Sequence, residues 1–160
     1  MENSPLLKSR ERRGDVTRVD RHAAERLLSE AREALEELRE ITSLERDRVL
    51  SDRTLVFSMR YSIILVVESL ADLAFAILER DYGVCPESYR DAFARLGRKG
   101  VVRPSIAEGM ERLASLRNLI VHRYWEVDDG RIYDEAVGGG MKVIEKFMRE
   151  VEGYVETEDP

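Results

Sequence analysis

The residues best suited to chemistry lie together in segment 117–124, which reads RNLIVHRY. Its histidine, His122, is one of only two in the chain. Histidine titrates near neutral pH, so it can take a proton from a ribose 2′-hydroxyl or give one to a leaving oxygen. Arg117 stays charged and offers a planar fork to phosphate oxygens, while Asn118 could donate to a phosphate or orient the imidazole. The set suits cleavage of RNA, although spacing alone favours a surface or interface hydrogen-bond cluster.

The helical spacing of these residues places Arg117 and His122 on different sides of the helix. At about 100° per residue, Arg117 and Tyr124 fall within roughly 20° of each other, and Asn118 shares a stripe with His122. The angle between Arg117 and His122 is roughly 140°, so one straight helix does not aim both at one small atom. Either the long arginine wraps round, or a second copy of the helix completes the site. The second option favours a homodimer with a groove lined by both copies.

The R-x4-H-x-Y spacing resembles the motif of the HepT toxins, a branch of the HEPN superfamily of helical, metal-independent ribonucleases. Further similarities are the Leu-Ile-Val filling of the motif, the Tyr-Trp pair at its end and the Asp-Gly turn before Ile132. Segments 61–78 and 86–97 also look like this family, so the resemblance covers roughly residues 20–155. It implies an all-α antiparallel bundle of four main helices plus one short helix, with HEPN-like topology.

The resemblance also implies a function. The chain would be the toxin of a type II toxin–antitoxin system, an endoribonuclease that leaves a 2′,3′-cyclic phosphate and uses no metal or other cofactor. Arg117 and His122 would be catalytic and Asn118 would support them. An MntA-like nucleotidyltransferase antitoxin would add AMP to Tyr124 and silence the nuclease. The alternative is a non-catalytic nucleotide- or substrate-binding subunit of a small nucleotidyltransferase complex.

The overall charge limits RNA binding to a local basic surface. The 160 residues form one domain by length, with a net charge of −6 and a pI near 5.2, which counts against a general nucleic-acid binder. A local basic groove is still compatible with this balance. Arg98, Lys99 and Arg103 are candidate RNA contacts, with solvated charge as the alternative. Trp125 could stack on a base, although a buried or interface tryptophan is the more common case.

Cysteine and apolar patterning indicate a cytoplasmic protein. Cys85 is the only cysteine, so the chain has neither an internal disulfide nor a Cys/His zinc set. The N-terminus has no apolar signal core, and no run approaches the ~18 apolar residues of a membrane span. Glu68 and Asp72, four apart in an apolar helix, could form a metal pair, but polar contacts at a surface or interface are favoured.

Periodicity and capping residues predict the elements. Residues 1–19 read as a flexible extension and 156–160 as a tail. The first helix is expected over about 20–50. Asp52 caps a second helix, which ends at Gly83. This helix is nearly apolar on all sides, which suits the centre of a bundle or a subunit interface. A short helix follows with Pro86 in its first turn, ending near residues 96–97, and a capping box at Ser105 starts the helix that carries the motif. A final helix, about 134–154, is interrupted by glycines 138–140, which predict close packing or a kink rather than a phosphate loop.

Overall fold

The computed structural model describes residues 20–158, and within them every regular element is helical. The predicted extension 1–19 lies outside the described residues. A 3₁₀ turn over Tyr124–Glu126 and a π turn over Ala136–Gly140 join the later helices. The helices, in chain order, are α1 (Arg21–Thr42), α2 (Arg46–Leu50), α3 (Arg53–Tyr82), α4 (Tyr89–Arg98), α5 (Pro104–His122), α6 (Asp129–Glu135) and α7 (Met141–Glu158).

The four long helices form a ring of contacts around one core. Helix α1 packs on α3, α3 on α5, α5 on α7, and α7 returns to α1. Ion pairs give the directions: Arg32 and Arg39 of α1 pair with Glu152 and Glu145 of α7, so the later residue of one helix meets the earlier residue of the other. The core between them is aliphatic with an edge-to-face Phe pair, 93 with 147. The predicted all-α antiparallel bundle is confirmed.

Helix α3 is the central element, as its apolar composition predicts. Asp52 accepts hydrogen bonds from the backbone N–H groups of Thr54 and Leu55, and Gly83 ends the helix with a φ of 63°. The helix contacts α1, α4 and α5. By length and composition it could cross a membrane, and 61% of its most apolar window is buried inside the bundle. The expectation that no segment approaches a membrane span was therefore too strict for α3.

Helix starts differ from the sequence expectations where local signals compete. The first predicted helix breaks after Thr42, and residues 46–50 form a separate short helix. Helix α4 begins at Tyr89 rather than at Pro86, because the Ser88 side chain accepts from the N–H of Asp91. Helix α5 begins at Pro104 and not after a Ser105 cap. Proline is well suited to a first helical position, since it has no N–H to leave unpaired.

The structure of the last third of the chain also differs from the sequence expectations. Segment 128–130, expected to be a turn, starts a helix instead: Asp128 caps α6 by accepting from Arg131 N–H, and Gly130 lies inside it against the guanidinium of Arg46. The predicted kink at the glycines is confirmed, because Gly139 has a φ of 143° that only glycine adopts readily. Helix α7 then runs to Glu158, beyond the expected end near Tyr154.

Candidate active site

Arg117 is directed into the bundle rather than toward solvent. Its Nη2 donates to Glu68 Oε1 on α3 at 2.6 Å, and its side chain is only 14% exposed. Its Nη1 donates to the amide oxygen of Asn118 at 3.0 Å. The guanidinium is thus held by a carboxylate from the central helix and by its own neighbour on α5. This places a fixed positive charge about three-quarters of the way along the motif helix.

An aromatic ring completes the arginine's surroundings. The guanidinium carbon of Arg117 lies 4.8 Å from the centre of the Tyr89 ring, within the range of a cation–π contact. Tyr89 is the first residue of α4, whose start is fixed by the Ser88 cap, and its ring meets Phe75 edge-on at 6.2 Å. Burial raises the pKa of the Tyr89 hydroxyl, although the charge of Arg117 acts in the opposite direction. Tyr89 therefore stays neutral beside the arginine.

Carboxylates dominate the electrostatics around this arginine. Partial burial, and then the charges of Glu68 and Glu30, raise the pKa of Asp72 above its usual value. Glu68 is the one that contacts Arg117, and Asp72 lies one turn further along α3. Among residues 20–158 no three histidine, cysteine or carboxylate side chains group closely enough to hold a metal ion. The polar contact favoured from the sequence is present for Glu68, but its partner is Arg117 of the same chain.

The histidine side of the motif is open. His122 is the last residue of α5 and is exposed, and its side chain makes no hydrogen bond or ion pair within the described part of the chain. The 3₁₀ turn that follows carries Tyr124 and Trp125, which are 62% and 68% exposed and contact each other edge to face at 5.2 Å. The expectation of a buried tryptophan is wrong for a single copy, and its place at an interface stays a prediction.

An ion pair fixes the turn that carries Tyr124. Arg60 of α3 donates to both carboxylate oxygens of Asp129, at 2.7 and 2.9 Å, and its Nη1 lies 3.5 Å from the backbone oxygen of Tyr124. Both side chains of the pair are mostly buried. The tyrosine backbone is therefore anchored to the bundle while its ring is free to be approached.

The structure brings together only part of the predicted set. Arg117 and Asn118 are in contact, but the Asn118 oxygen accepts from the arginine and does not orient His122. No hydrogen bond joins Arg117 to His122 among the described residues, in agreement with the roughly 140° between them. Glu68 and Tyr89 were not predicted as site residues. The two carboxylates within an apolar helix, Glu68 and Asp72, were the signal for Glu68, and no motif singled out Tyr89.

The three candidate basic contacts lie elsewhere. Arg103 precedes α5 and is about 28 Å from His122 along the helix axis. Its guanidinium donates to both carboxylate oxygens of Glu150, at 3.2 Å each. Arg98 faces Asp91 at 3.8 Å, and the Lys99 ammonium lies over the ring of Tyr82. These cations serve intramolecular contacts at the far end of the bundle, so the structure separates them from the motif.

Comparison with known proteins agrees with the family resemblance and with the helical bundle. A family model described as "Ribonuclease HepT-like" matches residues 31–151. The chain therefore belongs to the HepT-like ribonuclease family. It is also 30% identical over 100 residues to a protein of Archaeoglobus fulgidus whose name proposes it as an RNase, covering 62% of this chain and 74% of that protein.

Two solved structures share the fold at low identity. One is a tri-AMPylated Shewanella oneidensis HEPN toxin in complex with an MNT antitoxin, with a TM-score of 0.75, 19% identity, and coverage of 82% of this chain and 97% of that one. The other is the cytosolic protein YutE of unknown function from Bacillus subtilis, with a TM-score of 0.76, 20% identity, and coverage of 88% and 94%. At these identities the likeness establishes the HEPN fold.

Proposed function

We propose that this protein is a metal-independent endoribonuclease that acts as the toxin of a toxin–antitoxin pair. The observation that carries this proposal is the pairing, on one helix, of a fixed guanidinium with an exposed imidazole. Family membership adds support, because the matching model describes ribonucleases. Arg117 is the group that stabilises phosphate charge, His122 is the general acid–base, and Asn118 supports the arginine through its amide oxygen.

The reaction needs only proton transfer and charge stabilisation. The 2′-oxygen of a ribose attacks the adjacent phosphorus, the bond to the 5′-oxygen breaks, and a 2′,3′-cyclic phosphate and a 5′-hydroxyl are formed. An imidazole takes the proton of the 2′-hydroxyl, and an imidazolium gives a proton to the leaving 5′-oxygen. Arg117 is suited to the charge that builds on the phosphate oxygens in the transition state. In each shared site the His122 of one copy would do both, taking the 2′ proton and passing it to the leaving 5′-oxygen beside the Arg117 of the other copy.

The active form in this proposal is a homodimer with a shared groove. Exposed apolar side chains lie at the histidine end of the motif and on α3, and we call them the aromatic patch: Phe57, Tyr61, Val121, Tyr124 and Trp125. Arg60, between the first two of these along α3, reaches the backbone of Tyr124, so the two parts of the patch are neighbours. Burying this patch against its copy would also bring a second His122 toward the first Arg117.

A nucleotidyltransferase partner would regulate the site through Tyr124. The related toxin from Shewanella oneidensis is AMPylated and bound to its antitoxin. In the equivalent step here, the Tyr124 hydroxyl oxygen would attack the α-phosphorus of ATP, its proton would pass to solvent, and pyrophosphate would leave. The exposure of Tyr124 leaves its ring open to such an enzyme. The added phosphate could occupy Arg117 and block the path of RNA.

A second candidate function is a non-catalytic nucleotide- or substrate-binding subunit of a nucleotidyltransferase complex. Two observations favour it: the net charge of −6, and the carboxylate of Glu68 already occupying Arg117. In that case purified protein would cut no RNA, but would bind a nucleotide or the partner through the same residues.

An RNA cleavage assay in the presence of EDTA separates the two candidates. Arg117→Ala and His122→Ala should each abolish cleavage, and the products of the wild type should end in a cyclic phosphate. Matched controls are Arg112→Ala, an exposed arginine on the same helix, and His22→Ala, the other histidine. Unchanged rates in both motif variants would refute the ribonuclease.

An intact-mass measurement tests the modification. Protein made together with its nucleotidyltransferase should carry one or more added AMP groups, and Tyr124→Phe should lose at least one. Tyr61→Phe, which removes the hydroxyl of another exposed tyrosine, is the control. Retention of every AMP group in Tyr124→Phe would place the modification elsewhere.

A further inference from the structure

The guanidinium of Arg117 is held by three helices at once. Helix α3 supplies Glu68, α5 supplies Asn118, and α4 supplies the Tyr89 ring, whose centre is 4.8 Å from the guanidinium carbon. An arginine side chain at a protein surface is normally free to adopt many rotamers. Here the three contacts and the low exposure restrict the Arg117 side chain to one conformation.

The hydrogen bonds leave part of the arginine available. A guanidinium has five N–H bonds, two on each terminal nitrogen and one on Nε. One N–H of Nη1 goes to Asn118 and one of Nη2 goes to Glu68. Nε is buried and has no hydrogen-bond partner within the described residues. Each terminal nitrogen therefore keeps one N–H, which is the number that a fork-like contact with two phosphate oxygens requires.

We infer that Glu68 and Tyr89 are positioning residues that hold the Arg117 guanidinium in place for phosphate. A charge fixed before the reaction does not have to be ordered as the transition state forms, so the benefit appears in the rate of the chemical step. Neither residue needs to touch RNA. The kinetic consequence of this inference rests on the proposed ribonuclease function. The contacts of Glu68 and Tyr89 with Arg117, which we call the clamp, can be measured without that function.

The negative charge of Glu68 gives the clamp a kinetic signature. A carboxylate beside the arginine opposes the approach of phosphate in the ground state, because like charges repel at short range. Its removal should therefore lower kcat without raising KM. Simple loss of RNA affinity would do the opposite, raising KM at unchanged kcat.

The kinetic experiment compares two carboxylates one turn apart on α3. Glu68→Ala should lower kcat by about ten-fold or more at unchanged or lower KM. Asp72→Ala removes a similar charge that makes neither of the two Arg117 hydrogen bonds, and should stay within about two-fold of the wild type. Glu68→Gln keeps an acceptor oxygen and should fall between them. Tyr89→Phe, which keeps the ring, should match the wild type, whereas Tyr89→Leu should lower kcat.

A second readout is independent of any RNA cleavage. The ¹⁵Nε–¹H NMR signal of Arg117 can be assigned by its loss in Arg117→Lys. In the wild type its chemical shift should differ from that of a solvent-exposed arginine, and its proton should exchange slowly with solvent. In Glu68→Ala it should move to the position of a solvent-exposed arginine, and in Asp72→Ala it should not. Melting curves of each variant should show the same folded fraction at the temperature of the assay.

The outcomes separate the clamp from the function. An active wild type whose Arg117 signal and kcat are unaffected by Glu68→Ala would overturn the inference. A faster Glu68→Ala enzyme would also overturn it, since Glu68 would then be a competitor of phosphate and not a support. An inactive wild type whose signal still responds to Glu68→Ala would refute the ribonuclease while keeping the clamp.

Discussion

The two ends of the 117–124 motif differ in how much of their surroundings one copy of the chain supplies. Arg117 is mostly buried and contacts Glu68, Asn118 and Tyr89. His122, five residues later, ends the helix in the open, beside two aromatic residues that are more than half exposed. The arginine end has its contacts within one chain, whereas the histidine end is exposed. In the proposed homodimer, a second copy would cover the histidine end.

The largest effects should come from the two residues at the centre of this contrast. Arg117→Ala and His122→Ala should each lower RNA cleavage by at least about 100-fold, because the proposed reaction uses each group in its transition state. Their effects on stability should differ. Arg117→Ala deprives Glu68 and Asn118 of a partner and should lower the free energy of unfolding by about 1 to 2 kcal/mol. His122→Ala should leave the free energy of unfolding unchanged. Equal melting temperatures for the two variants would contradict the difference between the arginine end and the histidine end.

A similar comparison applies to the ion pair below the tyrosine turn. Arg60 and Asp129 are 17% and 25% exposed, and they join α3 to the start of α6. Arg60→Ala should lower the free energy of unfolding by about 1 to 3 kcal/mol, because it leaves a partly buried carboxylate without its partner. Arg131→Ala breaks the exposed pair with Glu135 and should cost less than about 0.5 kcal/mol. Chemical denaturation of both variants measures the difference, and equal losses would contradict the anchoring role.

The aromatic patch should matter for association and not for folding. Trp125→Ala should weaken the dimer by about ten-fold or more, as expected for a large aromatic residue at an interface, with little change in monomer stability. Val137→Ala shortens another exposed apolar side chain outside the patch and is the control. Sedimentation across a concentration series gives both dissociation constants. A Trp125→Ala dimer as tight as the wild type would exclude this residue from the interface.

The smallest effect concerns the acidic neighbours of the arginine. The pKa of Asp72 is raised in the folded protein, so the stability of the fold decreases as pH rises through that pKa and Asp72 becomes charged. Asp72→Asn removes this cost and should stabilise the protein at neutral pH by up to about 0.5 kcal/mol. Below the ordinary value of 3.8 the carboxyl is protonated in both states, and the difference should vanish. A destabilised variant at neutral pH would mean that Asp72 has a favourable partner.

The elements that depend on local signals were predictable from the sequence. Asp52 and Gly83 gave both ends of α3, and glycines 138–140 gave the kink, because caps and positive φ angles depend on neighbouring residues alone. Where two local signals compete, the outcome depends on packing. Pro86 and Ser88 both suit a helix start, and the structure begins α4 after Ser88.

The candidate site was only half predictable for the same reason. The motif places Arg117, Asn118 and His122 on one helix, and its angles already separate the arginine from the histidine. The partner of Arg117 is Glu68, 49 residues away in sequence, and their contact depends on the register of α5 against α3. No local pattern specifies that register. The basic residues near position 100 cluster in sequence, yet the bundle places them at the opposite end of α5 from His122.

The most direct test of a site shared by two copies uses mixed dimers purified through two different tags. A dimer of one Arg117→Ala copy and one His122→Ala copy should regain one of its two sites, and therefore about half of the wild-type rate of RNA cleavage. A dimer of one wild-type copy and one Arg117→Ala/His122→Ala copy should be inactive, since each shared site would lack one group. The reverse result, with activity only in the second dimer, would contradict the shared groove and place the whole site within one chain.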